Sequence, residues 1–144
     1  MNSGVPSIFL LAPLLGWLAA HLIKFLLTWL ASGGKERSLG IFFKAGGMPS
    51  SHSAVMAAIV VAIGAREGVG SALFALAVTV AAVVLYDAVN VRRSVGEQGD
   101  VLRKIVAKDK GDHTFFTAYG HTLTEVLVGM AVGGAVSGIL LQIL

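Results

Sequence analysis

The chain has 144 residues, of which 56% are hydrophobic and 13% charged, with no cysteine and a formal net charge of +3. A mean hydropathy of +0.82 excludes an ordinary soluble domain and indicates an integral membrane protein. This length holds about four spans of about 20 residues and leaves little for a second domain. We therefore expect an all-α fold, a single membrane-embedded helical bundle over residues 1–144 with about four transmembrane helices.

Charge-free stretches, and the polar residues that interrupt them, predict where the spans lie. They cover residues 7–31, 50–65, 71–91 and 121–144. The first lacks the basic start and the small-residue cleavage site of a signal peptide, so we interpret it as a mature helix. The predicted loops are 32–49 and 92–120, and the second is charged with some helical periodicity.

The first span contains a cation. Lys24 lies about two turns from the end of this span, so its ammonium group must either reach the interface along its stem or meet an anion. His21, one turn earlier on the same face, is a candidate hydrogen-bonding neighbour. Lys24 is therefore a candidate phosphate ligand, and Lys44 is its rival.

The start of the second span combines flexible, hydroxyl and imidazole residues, in the order Gly46-Gly47-Met48-Pro49-Ser50-Ser51-His52-Ser53. Glycine and proline favour a close approach of the backbone to a ligand, and Ser50, Ser51 and the first helical amides offer donors to phosphate oxygens. His52 is placed to supply or accept a proton. The alternative is a serine N-cap beside a surface histidine.

The third span ends in charged residues. Asp87 lies about one turn inside the span, where a carboxylate is costly unless it is paired or functional. Arg92 and Arg93 follow at the boundary, either as anchors to lipid phosphates or as a clamp on a substrate phosphate.

The fourth span begins with a second polar cluster, which contains His121 and Glu125. On a helix these two residues lie one turn apart on the same face, so the carboxylate can bind one ring nitrogen and leave the other facing a ligand. This arrangement makes the imidazole a better nucleophile or base. An isolated pair of this kind is also common on polar helix faces.

The distribution of positive charge predicts the orientation. With four spans, the loops after the first and third lie on one side, and Arg66 lies on the other. The first side receives Lys35, Arg37, Lys44, Arg92, Arg93, Arg103, Lys104, Lys108 and Lys110. The positive-inside rule then places both motif-bearing loops in the cytosol and both termini outside, in the inner (plasma) membrane of the cell.

These motifs resemble the divergent branch of the type 2 phosphatidic acid phosphatase superfamily, which is related to acid phosphatases and vanadium-dependent haloperoxidases. The resemblance rests on residues 48–54, on residues 86–93 with Gln98, and on residues 120–126, in the expected order over nearly the whole chain. It implies a metal-independent phosphatase that acts through a phosphohistidine. It also implies that His121 is the nucleophile, His52 the general acid and Glu125 the orienting carboxylate.

The chain departs from the wider superfamily in several places. Ser51 replaces the usual glycine before the first histidine, and Glu125 replaces an aspartate. Thr114 and Phe115 occupy the positions where a Ser-Arg pair precedes the nucleophile. Arg92 and Arg93 are candidates to replace the missing arginine. The superfamily core has six spans, so a four-span chain is either a minimal version or requires a second copy.

We therefore predict a phosphatase for lipid phosphates of the cytosolic leaflet, of the phosphatidylglycerophosphate, phosphatidic acid or polyprenyl phosphate class. Its expected partners are this substrate and the bilayer, with no nucleic acid, and a homo-oligomer is left open. No cofactor and no metal are expected, and Lys24, Ser50, Ser51, Arg92, Arg93 and Asp87 are the candidate phosphate-site residues. The alternatives are a non-catalytic anionic-lipid-binding or scaffold protein, and a small transporter or channel subunit.

Overall fold

The computed structural model describes residues 7–33, 47–106 and 120–144, and in these ranges the chain is helical without a strand. The helices are α1 (Ile8–Ala31), α2 (Ser51–Glu67), α3 (Ala72–Tyr86), α4 (Arg92–Val106) and α5 (Leu123–Ile143). A π-helical segment, Asp87–Val91, joins α3 to α4. The predicted all-α class is confirmed.

Within the described ranges, three helical stretches are long and apolar enough to cross a membrane: α1, the continuous helix Ala72–Val106, and α5. α2 has 17 residues, so at 1.5 Å per residue it is about 25 Å long, somewhat shorter than a hydrocarbon core of about 30 Å. α2 packs against α1, α3 and α5, and it is therefore the central helix of the bundle. The protein is a membrane-embedded helical bundle, as predicted.

A hydroxyl side chain begins each of the four bundle helices. Ser7, Ser50, Ser71 and Thr122 are the N-caps of α1, α2, α3 and α5, and each side-chain oxygen accepts a hydrogen bond from a backbone N–H of the first turn. Such caps satisfy amide groups that the helix itself leaves without partners. Two of these starts, at Ser50 and Thr122, lie within the motifs that the sequence singles out.

Small residues form the seam between α1, α2 and α5. They are buried and recur at every fourth position of each helix: Ala12, Gly16 and Ala20; Ala54, Ala58 and Ala62; Gly129, Gly133 and Ser137. Such spacing places the small residues on one face, so that helix backbones approach closely in a bilayer, where association depends on packing rather than on a hydrophobic effect. The seam therefore fixes how α2 lies against α5.

The approach of α2 to α5 is close enough to require glycine. A Cβ atom at Gly129 would overlap the carbonyl oxygen of Ser50, and one at Gly133 would overlap that of Ala54. The packing of α2 against α5 therefore requires glycine at both positions. Gly134 differs, because a Cβ there would meet only Val61, at 4.0 Å.

The third helix extends past the predicted end of its span. Residues Ala72–Val106 form one helical stretch of 35 residues, about 52 Å long, which exceeds a hydrocarbon core of about 30 Å by about 20 Å. Its last part, α4, lies in the stretch that the sequence identifies as charged with helical spacing. The predicted loop residues 34–46 and 107–119 lie outside the described residues.

Candidate active site

Three elements meet at one end of the bundle: the start of α2, the π-helical segment and the start of α5. The backbone N–H of Ser50 donates to the carbonyl oxygen of Glu125 at 3.0 Å. The backbone N–H of His121 donates to the carbonyl oxygen of Ala88, also at 3.0 Å. The first bond joins two motifs about 70 residues apart in sequence, and the second joins the later motif to the third helix.

Glu125 holds the ring of His121. Its Oε2 atom lies 3.0 Å from Nδ1 of His121, whose side chain is almost completely buried. Because an ionised carboxylate only accepts hydrogen bonds, the neutral ring carries its proton on Nδ1 and leaves the lone pair of Nε2 available. The hydrogen bond that the sequence predicts between these two residues is present.

The sequence predicts that His121 and Glu125 meet through the one-turn spacing of a helix, but the structure brings them together in another way. His121 precedes Thr122, the N-cap of α5, and so lies outside the helix. Glu125 reaches back from the first turn in a capping box: its Oε2 accepts from the Thr122 N–H at 3.0 Å, and its own N–H donates to Oγ1 of Thr122 at 3.3 Å. One carboxylate therefore caps the helix and orients the imidazole.

His52 lies at the start of α2, at the same end of the bundle as His121. It is the second residue of that helix and is exposed. Arg92, His121, His21 and Lys24 all lie close enough to act electrostatically on its ring. The two imidazoles that the sequence singles out are therefore near each other, and cations from α1 and from the third helix act electrostatically on His52.

Lys24 extends from α1 to the backbone of the loop before α2. A Cβ atom on Gly47 would lie 3.1 Å from Cε and 3.8 Å from Nζ of Lys24. Gly47 also has a φ of +85°, a backbone conformation that favours glycine. The glycine step that the sequence predicts as an approach to a ligand thus lies directly over the stem of Lys24.

His21 is a third histidine of the cluster, and the sequence analysis assigned it only as a neighbour of Lys24. It is buried, its Nδ1 lies 3.0 Å from the carbonyl oxygen of Trp17, and its ring centroid lies 4.2 Å from that of Trp17. Because a carbonyl only accepts hydrogen bonds, Nδ1 is the protonated nitrogen. The signal in the sequence was its position three residues before Lys24 on one helical face.

The π-helical segment sets the position of Arg92. The backbone N–H of Arg92 donates to the carbonyl oxygen of Asp87, and Nε of Arg92 lies 2.8 Å from Oδ2 of Asp87. The wider turn places two residues five apart above each other, which an α-helix does not do. The same segment presents the Ala88 carbonyl that binds His121. π-Bulges are frequent at functional sites.

The Asp87–Arg92 ion pair orients the guanidinium rather than stabilising the fold. Both side chains are about half exposed, and ion pairs in such positions contribute at most about 1 kcal/mol. Arg93 points elsewhere, because its Nε lies 3.2 Å from Oε1 of Glu97, one turn along α4. The backbone of Arg93 nevertheless packs against Gly120, where a Cβ atom would overlap it. Of the two arginines, Arg92 is the one that acts electrostatically on His52.

The two serines of the motif occupy different environments. Ser50 is completely buried, and its Oγ accepts hydrogen bonds from the N–H of Ser53, at 3.4 Å, and from the hydroxyl of Ser53, at 2.9 Å. This is the N-cap role that the sequence analysis gave as the alternative. Ser51 is half-buried in the first turn of α2. At a helix start, backbone N–H groups point outwards and favour an anion.

Several residues that the sequence analysis named lie outside the described ranges. These are Lys44, the rival of Lys24, and Thr114 and Phe115, which replace the Ser-Arg pair. Within the described ranges, the arrangement combines an imidazole with a free lone pair on Nε2, a second imidazole, and cations from two helices. Such a set can attack, protonate and neutralise a phosphate group.

Comparison with known proteins identifies the family. Residues 6–136 match the Divergent PAP2 family. The chain is 37% identical over 97 residues to the uncharacterized membrane protein YuiD of Bacillus subtilis (strain 168), a match that covers 67% of this chain and 60% of that protein. The match thus spans less than two thirds of the relative's length, and no solved structure matches the chain significantly. Because the family match extends over most of the sequence, the chain belongs to the Divergent PAP2 family.

Proposed function

We propose that this protein is a membrane-embedded, metal-independent phosphatase that hydrolyses a lipid phosphate monoester or diphosphate through a phosphohistidine. The observation that supports this most is the buried His121–Glu125 pair beside His52, with Lys24 and Arg92 around it. Membership of a family related to phosphatases supports the same function. The substrate class comprises phosphatidylglycerophosphate, phosphatidic acid and polyprenyl phosphates.

The proposed first step is an in-line attack on phosphorus by Nε2 of His121. A bond forms between that nitrogen and phosphorus while the bond from phosphorus to the lipid oxygen breaks. Glu125 stabilises the positive charge that develops on the imidazole, because its carboxylate already binds Nδ1 at 3.0 Å. His52 gives a proton to the leaving oxygen.

The second step is hydrolysis of the phosphohistidine. His52, now neutral, accepts a proton from a water molecule that attacks phosphorus, so the nitrogen–phosphorus bond breaks and His121 is regenerated. Arg92, Lys24 and the first amides of α2 hold the phosphate oxygens while charge redistributes. A cluster of cations fits this role because the substrate headgroup is a dianion.

The proposed orientation places this site at the cytosolic headgroup level of the inner membrane, with both termini outside. The basic residues of α4, which extends past the span, support this orientation by the positive-inside rule. The lipid would then keep its chains in the bilayer while its headgroup enters the cluster. Assembly with a second copy is compatible with the same site.

The test is phosphate release by purified protein from a panel of these lipids in excess chelator. We expect wild-type turnover, loss of turnover in His121→Ala, and unchanged turnover in Arg66→Ala, which alters an exposed cation at the far end of α2. Full activity of His121→Ala would remove the proposed nucleophile.

A second candidate function is binding of an anionic lipid without turnover. The engagement of Arg93 by Glu97 favours it, because Arg92 is then the arginine that acts on His52 and fewer cations neutralise a transition state. In that case vanadate would raise the thermal unfolding temperature of the purified protein, and no lipid of the panel would release phosphate. The same two measurements therefore separate the two candidates.

A further inference from the structure

An apolar groove lies between α2, α3 and α5, beneath the cluster of imidazoles and cations. It encloses about 390 Å³, and every side chain that lines it is apolar. α2 contributes Met56, Val60 and Val61, α3 contributes Leu85, and α5 contributes Met130 and Gly134. A groove of this size falls in the range of small-molecule sites.

The groove begins directly below the candidate active site. Met56 follows His52 by four residues on α2, so it lies about one turn, or roughly 6 Å, deeper on the same face. Leu85 precedes Ala88 by three residues on the third helix, and the Ala88 carbonyl holds His121. The upper rim of the groove is thus about one helical turn from both imidazoles.

We propose that this groove holds one hydrocarbon chain of the lipid phosphate whose headgroup binds His52 and His121. The proposal rests on the proposed function, because it assigns the chain of the same substrate. A cationic cluster above an apolar groove matches an amphiphile with an anionic head. The two methionines are flexible enough to adapt to different chains.

The length and the apolar lining of the groove suit a hydrocarbon chain. On α3 it extends from Val78 to Leu85, which is roughly 10 Å at 1.5 Å per residue. Carbon atoms in contact lie about 4 Å apart, so a hydrocarbon chain laid along this length can contact apolar side chains throughout.

The groove acts mainly on the position of the substrate. Bilayer chains are as apolar as the side chains of the groove, so moving a chain from the bilayer into the groove gains little free energy. A chain held there fixes the headgroup one turn above it, where Nε2 of His121 attacks. Correct placement of reacting atoms is a large part of catalysis, so filling the groove should slow turnover of long-chain substrates.

The test fills the groove from α5 and compares two substrates. Gly134→Leu introduces a side chain toward Val61, where a Cβ atom has room at 4.0 Å. Gly138→Leu is the matched control, because a Cβ atom on that glycine, one turn along α5, meets nothing within 4 Å. The substrates are dioleoyl and dihexanoyl phosphatidic acid, and Ala82→Leu replaces Gly134→Leu if the latter does not fold.

We expect Gly134→Leu to lower kcat/KM for the long-chain lipid at least about tenfold while leaving the short-chain lipid within about twofold. Gly138→Leu should change neither value. An equal loss for both lipids would overturn the proposal. A change of oligomeric state in Gly134→Leu would also overturn it, because the groove would then be an interface between copies.

Photolabelling tests the groove independently of turnover. Phosphatidic acid with a diazirine in its acyl chain should label Met56 or Met130 in the wild type and not in Gly134→Leu. Equal labelling by a diazirine phosphatidylcholine would overturn the proposal, because the groove would then hold any bilayer lipid. Absence of phosphate release from every lipid would contradict the proposed function, and the labelling would still decide the occupant.

Discussion

His121 is held from two sides by bonds of different kinds. Its backbone N–H binds the Ala88 carbonyl of the third helix, and its ring binds the carboxylate of Glu125. The first bond fixes where the residue lies, and the second fixes which ring nitrogen carries the proton. The first bond depends on the third helix and the second on the first turn of α5, so the ring of the proposed nucleophile is positioned before any substrate arrives.

The two roles of Glu125 can be separated by substitution. Glu125→Gln keeps an oxygen that accepts the Thr122 N–H but removes the charge that stabilises an imidazolium. We expect turnover to fall at least about a hundredfold with little change in the thermal unfolding temperature. Glu125→Ala should lose turnover to the same extent and about 1 kcal/mol of unfolding free energy. Wild-type turnover in Glu125→Gln would contradict the assignment.

The two neighbouring arginines should differ in effect. Arg92 acts electrostatically on His52, whereas Arg93 is bonded to Glu97 along α4. Because hydrogen bonds to charged groups contribute about 1.5–3 kcal/mol, Arg92→Ala should lower kcat/KM by roughly 10- to 100-fold. The loss in Arg93→Ala should be clearly smaller, and steady-state kinetics of the two variants checks the order. A larger loss in Arg93→Ala would reverse the assignment.

The sequence predicted much of the site because its groups are chemically distinctive. An imidazole with a carboxylate four residues later, and a lysine inside an apolar span, are conspicuous, and the predicted His121–Glu125 bond is present. The position of His21 was less evident, because only the packing of α1 against α2 brings it near His52. The burial of Ser50 as a cap likewise depends on α5, which covers it.

At the scale of elements, the seam between α2 and α5 determines where the two motifs lie. Gly129 packs against the Ser50 carbonyl at the level of the motif, and Gly133 packs against Ala54 one turn below. Backbones in such contact leave no room for the helices to slide. The seam therefore keeps the starts of α2 and α5, and with them His52 and His121, at one end of the bundle.

One methyl group added at Gly133 should force α2 and α5 apart. A Cβ atom in Gly133→Ala would overlap the Ala54 carbonyl oxygen, so we expect a loss of about 1–3 kcal/mol of unfolding free energy and reduced turnover. Gly138→Ala, where a Cβ atom meets nothing within 4 Å, should leave both unchanged or raise stability slightly. Thermal unfolding in detergent measures the difference. Equal stability of the two variants would contradict the close packing.

The π-helical segment could not be predicted from the sequence. Asp87–Val91 reads as an ordinary end of an apolar helix, and no residue in it favours a wider turn. The wider turn instead accompanies a hydrogen bond between distant parts of the chain, in which the Ala88 carbonyl accepts from the His121 N–H. The helix periodicity of the sequence predicted the neighbouring helices, whereas this distortion depends on a residue more than 30 positions away.

At the scale of the whole molecule, the polar groups of the candidate site collect at one end of the bundle, and mostly small or apolar residues fill the interior of the described helices elsewhere. Ala12, Ala58 and Ala62 form a buried core cluster, and partly buried apolar residues pack against it. This asymmetry fits a site at a membrane surface better than a path through the membrane. The orientation of the bundle in the membrane therefore determines which compartment the site faces.

The absence of cysteine allows the orientation to be measured directly. Val69→Cys places a thiol in the exposed turn between α2 and α3, and Glu97→Cys places one on exposed α4. We expect a membrane-impermeant maleimide to label Val69→Cys in intact cells and Glu97→Cys only after permeabilisation. The reverse pattern would place the site on the outer face and exclude cytosolic substrates.

The central claim is that His52 and His121 act on one phosphate group. A structure of the protein with bound vanadate tests it most directly, because vanadate adopts the geometry of a phosphoryl group under attack. We predict vanadium bonded to Nε2 of His121, with His52, Arg92 and Lys24 contacting its oxygens. Vanadate bound away from Nε2 of His121, or contacted by only one of the two imidazoles, would contradict the account.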